Sequence, residues 1–332
     1  MLTLIVPGLI WTRQALADLT YDLPLPAFAT LLGRGRLRHR APQSTAATLA
    51  ETFGLDAPLP GAALRRLALR EHPGDAEWLC LDPVRLRFEQ NSLIVDDPRQ
   101  LELTDDEAAA LAVSLGPTFA EFGRLDVISP HAWNLRLSAV APAFHALPEA
   151  IGRAASALPL TPDYAPWRHA ISEAQMLLHA HPLNQAREAA GKPPVNSLWP
   201  WGGGRLPRVT SNAHDALWSD DPVARGIARL LQIDGASLPA GFTGTAARRP
   251  LAIHRALEQP ARSGDATIWR EQLTRLEADW LAPALDALRN GQLGALRLLA
   301  PGDLAAAELQ VSRHDLWKFW RKPGAVAELG PI

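Results

Sequence analysis

The sequence predicts an α/β fold with extra β and helical material in the middle of the chain. Three observations carry this. Short apolar runs such as LTLIVPGLI and GALRLLA have the length and the flanking turn residues of buried strands. Between such runs lie segments whose apolar residues recur at helical spacing. The chain of 332 residues, 47% of them hydrophobic, is enough for one large core or two smaller ones.

Taken in order, LTLIVPGLI reads as a strand that stops at Pro7-Gly8, and WTRQALADL as the start of a helix. In GRGRLRHR an extended backbone puts Arg34, Arg36, Arg38 and Arg40 on one face, facing solvent, acidic partners, or a phosphate or polyanion. STAATLAETFGL is a helix with Ser44 as N-cap and Gly54 at its stop. EWLCLDPVRLRFEQNSLIVDD mixes apolar runs with alternation and predicts strands. Thr104 followed by Glu107 has capping-box spacing and starts a helix. TFAEFGRLDVISPHAWNLRL reads as a helix end followed by strands, and residues 141–165, rich in Ala and Pro, as loop. WRHAISEAQMLLHAH is helical, with Ile171, Ala174, Leu177 and Leu178 on one side; Pro182 opens a second helix that Gly191 stops. DPVARGIARLLQI is a helix with Asp220 or Asp221 near its start, and residues 236–248 form a loop. ATIWREQLTRLEADWLAPALDALRNGQ is one long amphipathic helix kinked at Pro283. GALRLLA is a strand, and HDLWKFWRK a short aromatic-basic segment.

Composition narrows the function. A formal charge of −2 gives no reason to expect nucleic acid or an anionic membrane as partner. No uncharged apolar run is long enough to span a bilayer, and the first residues lack a basic leader, so a buried strand is expected there rather than a signal peptide. Cys80 is the only cysteine, which excludes an intrachain disulfide and a thiolate metal cage and suits a reducing cytoplasm. In the run WLCL it reads as a small core filler. Eleven Trp stand beside two Tyr and eight Phe; most are expected to pack the core, with Trp199 and Trp201 open to a pocket role.

Few motifs carry chemistry. His179 and His181 are two apart and do not share a helix face, and the acidic doublets read as caps or solvated turns, so no metal site and no cofactor is expected. There is no G-x-S-x-G elbow and no P-loop. The densest stretch is HPLNQAREAAGKPPVNSLWPWGGG, residues 181–204. On a helix Asn184, Arg187 and Glu188 share a face, and Arg offers a planar fork for carboxylate or phosphate. Asn196 suits a turn, and Gly202, Gly203 and Gly204 permit close backbone approach or an anion-binding nest. Two readings stand for this stretch. It cradles an anion, or Asn184 and Arg187 clamp backbone while the tryptophans plug a gap.

The same stretch, preceded by SEAQMLLH, closely resembles the RpfE-type regulatory protein family of proteobacteria. WLCLDPVRLR, SPHAWNLRL, DPVARGIARL and DLWKFWR match that family in order, over essentially the whole chain. The family is similar to archaeal-type cofactor-independent phosphoglycerate mutases of the alkaline-phosphatase-like superfamily. The resemblance implies a three-layer alkaline-phosphatase-like scaffold formed by residues 1–84 and 196–332, with residues 85–195 as an inserted α+β domain. Asp82, Arg85, Arg87, Asn184, Arg187 and Asn196 match positions in the resembling segments and are, with Trp201 and Gly202–Gly204, the candidate ligand-binding residues. The departures matter equally. Pro7 stands where those mutases carry a metal-binding Asp, DAPLPGAALRRL lacks their nucleophilic Ser, and their later Asp/His ligand sets have no clear counterpart after residue 205. The expectation is a mutase-like protein without metal site or nucleophile, with a regulatory role or a role in binding a small phosphorylated or carboxylated metabolite. Two alternatives are an active mutase or phosphatase with a rearranged site, and a protein-interaction module using Trp317, Phe319 and Trp320 with Arg321 and Lys322.

Overall fold

A computed structural model describes residues 1–89, 91–155, 161–208 and 213–331. The chain begins β1 (Leu2–Ile5), α1 (Arg13–Thr20), α2 (Pro26–Arg34), β2 (Arg36–Arg40) and α3 (Thr45–Phe53). It continues α4 (Gly61–Ala68), β3 (Trp78–Val84), β4 (Leu86–Glu89), β5 (Ser92–Val95), α5 (Asp105–Leu115), β6 (Gly123–Ser129), β7 (Ala132–Leu137), α6 (Leu147–Ala150), α7 (Ala165–Ala180), α8 (Pro182–Ala189) and β8 (Ser197–Gly204). It ends β9 (Ala216–Trp218), α9 (Pro222–Leu230), β10 (Asp234–Ala236), β11 (Pro250–Ile253), α10 (Glu258–Ser263), α11 (Ala266–Leu276), α12 (Ala282–Arg289), β12 (Ala295–Ala300) and β13 (Ala306–Ser312). Two compact units result: Met1–Ala57 with Val209–Ile332, and Pro58–Arg208. The predicted α/β class holds, as a large mixed sheet with helices.

The first unit is built on a seven-stranded sheet in the order β10-β9-β11-β1-β12-β13-β2. β10, β9, β11, β1 and β12 are parallel, and β13 runs antiparallel to both its neighbours. Register explains which residues are apolar. Leu2 and Leu4 align with Leu296 and Leu298, which align in turn with Val311 and Leu309. All six belong to one buried cluster with Leu16, Phe28, Leu273 and Leu288 from α1, α2, α11 and α12. The opposite face of β2 carries Arg36, Arg38 and Arg40, with Arg40 bonded to Glu51 at 2.6 Å. Charges on this edge strand discourage pairing with another chain. Arg34, expected on that face, is instead the last residue of α2, because the strand begins after Gly35.

Ser44 caps α3 as its spacing predicted, and of Asp220 and Asp221 it is Asp221 that caps α9. The predicted long helix is interrupted. Residues Glu277–Leu281 form a π-turn between α11 and α12, with the Ala282 N–H donating to the Glu277 carbonyl. Pro283 has no N–H to give the carbonyl four residues back. That carbonyl, of Asp279, accepts from the Phe242 N–H at 2.8 Å instead.

The second unit holds a four-stranded antiparallel sheet, β6-β7-β3-β8, and a β4-β5 hairpin. Its core joins Leu79, Leu81, Trp133 and Leu135 of the sheet to Leu111 of α5 and Ala174 and Leu178 of α7. The Thr104–Glu107 capping box starts α5. The junctions expected at 84/85 and 195/196 lie at 57/58 and 208/209. The reason is hydrogen bonding: β3 pairs with β7 and β8, which ties residues 78–84 and 197–204 to the same sheet. Residues 156–160 of the stretch predicted as loop lie outside the described residues.

Candidate functional site

The candidate ligand-binding residues all fall in the second unit, where the structure separates them into three groups. At the centre is Asp82 on β3. It accepts both ends of the Arg65 guanidinium, at 2.8 and 2.9 Å, the Trp133 N–H at 2.9 Å and the Trp201 indole N–H at 2.7 Å. Arg65 also donates to the Trp133 carbonyl and to the Asn134 side chain, and lies 5.6 Å from the Trp201 ring centroid. Arg65, Asp82 and Asn134 are buried. A buried ion pair needs this degree of hydrogen bonding to offset desolvation. Sequence reading missed Arg65; the available signal was an Arg pair on the apolar helix GAALRRLA beside a strand with a single Asp. Trp201→Phe removes one bond to a buried carboxylate and is expected to lower stability in urea unfolding by about 1.5–3 kcal/mol.

Asn184, Arg187 and Asn196 are backbone clamps. Asn184 donates to the carbonyls of Leu178 and Val195 and accepts the Val195 N–H. Arg187 donates to the carbonyls of Leu101 and Pro193 and pairs with Glu107 at 2.7 Å. Asn196 accepts from the Leu86 N–H and donates to the Leu86 carbonyl. Trp199 gives its N–H to the His145 carbonyl. Gly202–Gly204 belong to β8 rather than to a cradle loop. Gly202 takes φ +59°, and a Cβ there would sit 3.1 Å from the Gly61 backbone, so the run lets the start of α4 press onto the strand. Arg85 and Arg87 stand apart on the β4-β5 hairpin side, sharing Asp96, with Glu89 also on Arg87. Of the two readings of this stretch, the bonds match the clamp.

A different constellation lies in the first unit, and the sequence reading did not assemble it. In an open parallel sheet, ligands sit beyond the carboxyl ends of adjacent strands whose outgoing connections diverge. β9 and β11 are such a pair: β9 leads to β10 on one side, β11 leads across β1 to β12 on the other. Beyond β9 come Ser219 and Asp221. The Asp221 side chain caps α9 through the N–H groups of Val223 and Ala224. Beyond β11 come His254 and Arg255. Arg255 pairs with Asp221 and with Glu258 at 2.6 Å, and Arg262 pairs with Glu258 at 2.6 Å. Burial opposes the Arg255 charge, yet these carboxylates hold its pKa above the usual value.

His254 is 8% exposed and its Nδ1 has no hydrogen-bond partner from another residue among the described ones; Trp280, on the π-turn, is 1% exposed and its indole N–H has none there either. The two rings lie edge to face with centroids 6.0 Å apart. Burial lowers the pKa of His254, so its ring is neutral at neutral pH. Buried polar atoms without partners are costly and mark places where a water or ligand atom belongs. Pro7 follows β1, the next strand. The described residues contain no group of three or more His, Cys, Asp or Glu placed to hold a metal ion, and none of the described helices is long and apolar enough to cross a membrane.

A known structure shares this arrangement of elements. A Pyrococcus horikoshii protein, PH0037, superposes with a TM-score of 0.61 at 15% identity, over 99% of this chain and 92% of that one. The fold is shared. A cofactor-independent phosphoglycerate mutase from Thermoplasma acidophilum matches at 17% identity over 94% of this chain and 89% of that one, with a TM-score of 0.48. No protein-family model matches the chain, and no curated protein does.

Proposed function

We propose that this chain is a phosphoglycerate-mutase-like protein of the RpfE type, without phosphoryl-transfer chemistry. In this reading it binds a small phosphorylated or carboxylated acid in a regulatory role. The first unit is then the alkaline-phosphatase-like scaffold and the second its inserted domain. One observation carries the reading: two buried ring nitrogens, His254 Nδ1 and Trp280 Nε1, have no partner from another residue among the described ones, at the carboxyl edge of the parallel strands. A neutral imidazole and an indole N–H can hydrogen-bond an uncharged oxygen of such an acid, its hydroxyl.

The same edge argues against turnover on the chemistry of its residues. Pro7 offers no ligand atom, and the carboxylates of Asp221 and Glu258 are engaged by Arg255 and Arg262. Moving a phosphoryl group needs a nucleophile and a cation for the spreading charge. The buried Cys80 thiol, pushed up by burial, is not a substitute and fits a reducing cytoplasm.

Calorimetry with 2- and 3-phosphoglycerate tests the binding half. Saturable heat with the wild-type chain is expected, weakened about tenfold or more in Trp280→Phe, which keeps the ring and loses the donor. No heat with either acid from a folded protein would end the reading.

A further inference from the structure

Residues 312–322 present an aromatic surface that none of the described residues covers. Trp317, Phe319 and Trp320 are 74%, 76% and 69% exposed, although large apolar groups that stay in water gain nothing from folding. Cation–π pairing, the cheaper explanation for an aromatic-basic segment, is not what is seen. The cation–π contacts found among the described residues are Arg65 on Trp201 and Arg66 on Trp78, both in the second unit.

The segment is also held in place. Ser312 and Asp315 form a capping box, and Lys318 pairs with Asp315. Arg34 donates to the Leu316 carbonyl at 2.7 Å, and the Gly324 N–H donates to the Ala29 carbonyl at 2.9 Å. Gly33 has no Cβ, and one there would collide with the Lys322 carbonyl, so the chain lies directly on α2. Phe319 and Trp320 brace each other edge to face at 5.3 Å. Lys318 is neutralised by Asp315, whereas Arg321 and Lys322 are exposed and add positive charge beside the rings.

We propose that this surface docks a partner protein that offers an apolar pocket rimmed by Asp and Glu. Rigid Trp and Phe with adjacent Arg are the composition of interface anchors, and a surface ordered in advance loses little entropy on docking. The basic rim selects acidic partners and speeds their encounter. The inference does not depend on the strand-edge reading.

The test is selection of a displayed library of random peptides, about 16 residues long, by the full-length chain at about 0.15 M salt. Enriched peptides are expected to combine Asp or Glu with Leu, Phe or Trp. Fluorescence anisotropy should then show affinity falling about tenfold or more in Trp317→Ala/Trp320→Ala and in Arg321→Glu/Lys322→Glu. Unchanged affinity is expected in Tyr21→Ala, an exposed ring elsewhere in the chain. Because the altered side chains are exposed, unchanged circular dichroism serves as the folding control. Failure to enrich peptides overturns the proposal, as do peptides that bind the double variants equally well. It is also overturned if the aromatic side chains are needed instead for retention on phosphatidylglycerol vesicles or on oligothymidine.

Discussion

Arg65→Leu is expected to destabilise the second unit by about 3–5 kcal/mol, because it strands the buried Asp82 carboxylate without its cation. Asp82 would keep the Trp133 and Trp201 N–H groups, but two neutral donors do not offset a buried negative charge. Arg65 also touches the Trp133 carbonyl and Asn134, so the loss spreads across β3 and β7. The partner experiment separates charge from packing. Arg65→Leu combined with Asp82→Asn should recover part of the loss, since no ion is left unpaired. Urea unfolding followed by Trp fluorescence reads both. Equal stability of Arg65→Leu and wild type would show that the ion pair is not what joins β3 to α4.

Glu277→Ala is expected to cost about 2–4 kcal/mol. The Glu277 carboxylate, on the π-turn, accepts the Ala27 N–H at 2.6 Å and the Phe28 N–H at 2.9 Å, capping α2 from 250 residues away in sequence. Removing it leaves two buried donors unmet, at about 1–3 kcal/mol each, less the relief of burying an acid. Burial raises the Glu277 pKa above its ordinary value of 4.5, against the opposing pull of the two N–H bonds. The sign follows. The folded state binds the proton more tightly than the unfolded one, so this residue's contribution to stability is greatest below pH 4.5 and is lost as pH rises through the raised value. In Glu277→Gln that pH dependence disappears, and thermal unfolding across the window detects it. An unchanged pH profile in Glu277→Gln would mean that another group titrates there.

What the sequence made legible were local signals. Ser44 and Thr104 with Glu107 sit at the caps their spacing indicated, and of Asp220 and Asp221 it is Asp221 that caps, because capping is a contest among neighbouring residues only. The Pro283 interruption was visible for the same reason, though not its π form or the Phe242 N–H that reaches the Asp279 carbonyl. The unit junctions were misplaced because strand pairing is non-local. Nothing within WLCLDPV says that it pairs with Ser197–Gly204 and not with the strands around Leu2. The strand-edge constellation was hidden for a related reason: the pairing of β9 with β11 sets Ser219 beside His254, and helix packing brings the Trp280 ring to 6.0 Å from His254, neither of which is local in sequence. Gly202 and Gly204 were legible as places of close approach, and what lies against them is the Gly61 backbone and Pro60 at the start of α4.

The central proposal is that this chain holds a small acid without turning it over. Phosphorus NMR of 3-phosphoglycerate with the purified chain and added Mg²⁺ measures both halves at once. The account predicts a shifted or broadened substrate signal, restored in Trp280→Phe, and no new resonance on long incubation. Accumulation of 2-phosphoglycerate or inorganic phosphate, catalytic in protein and abolished by a chelator, would contradict it.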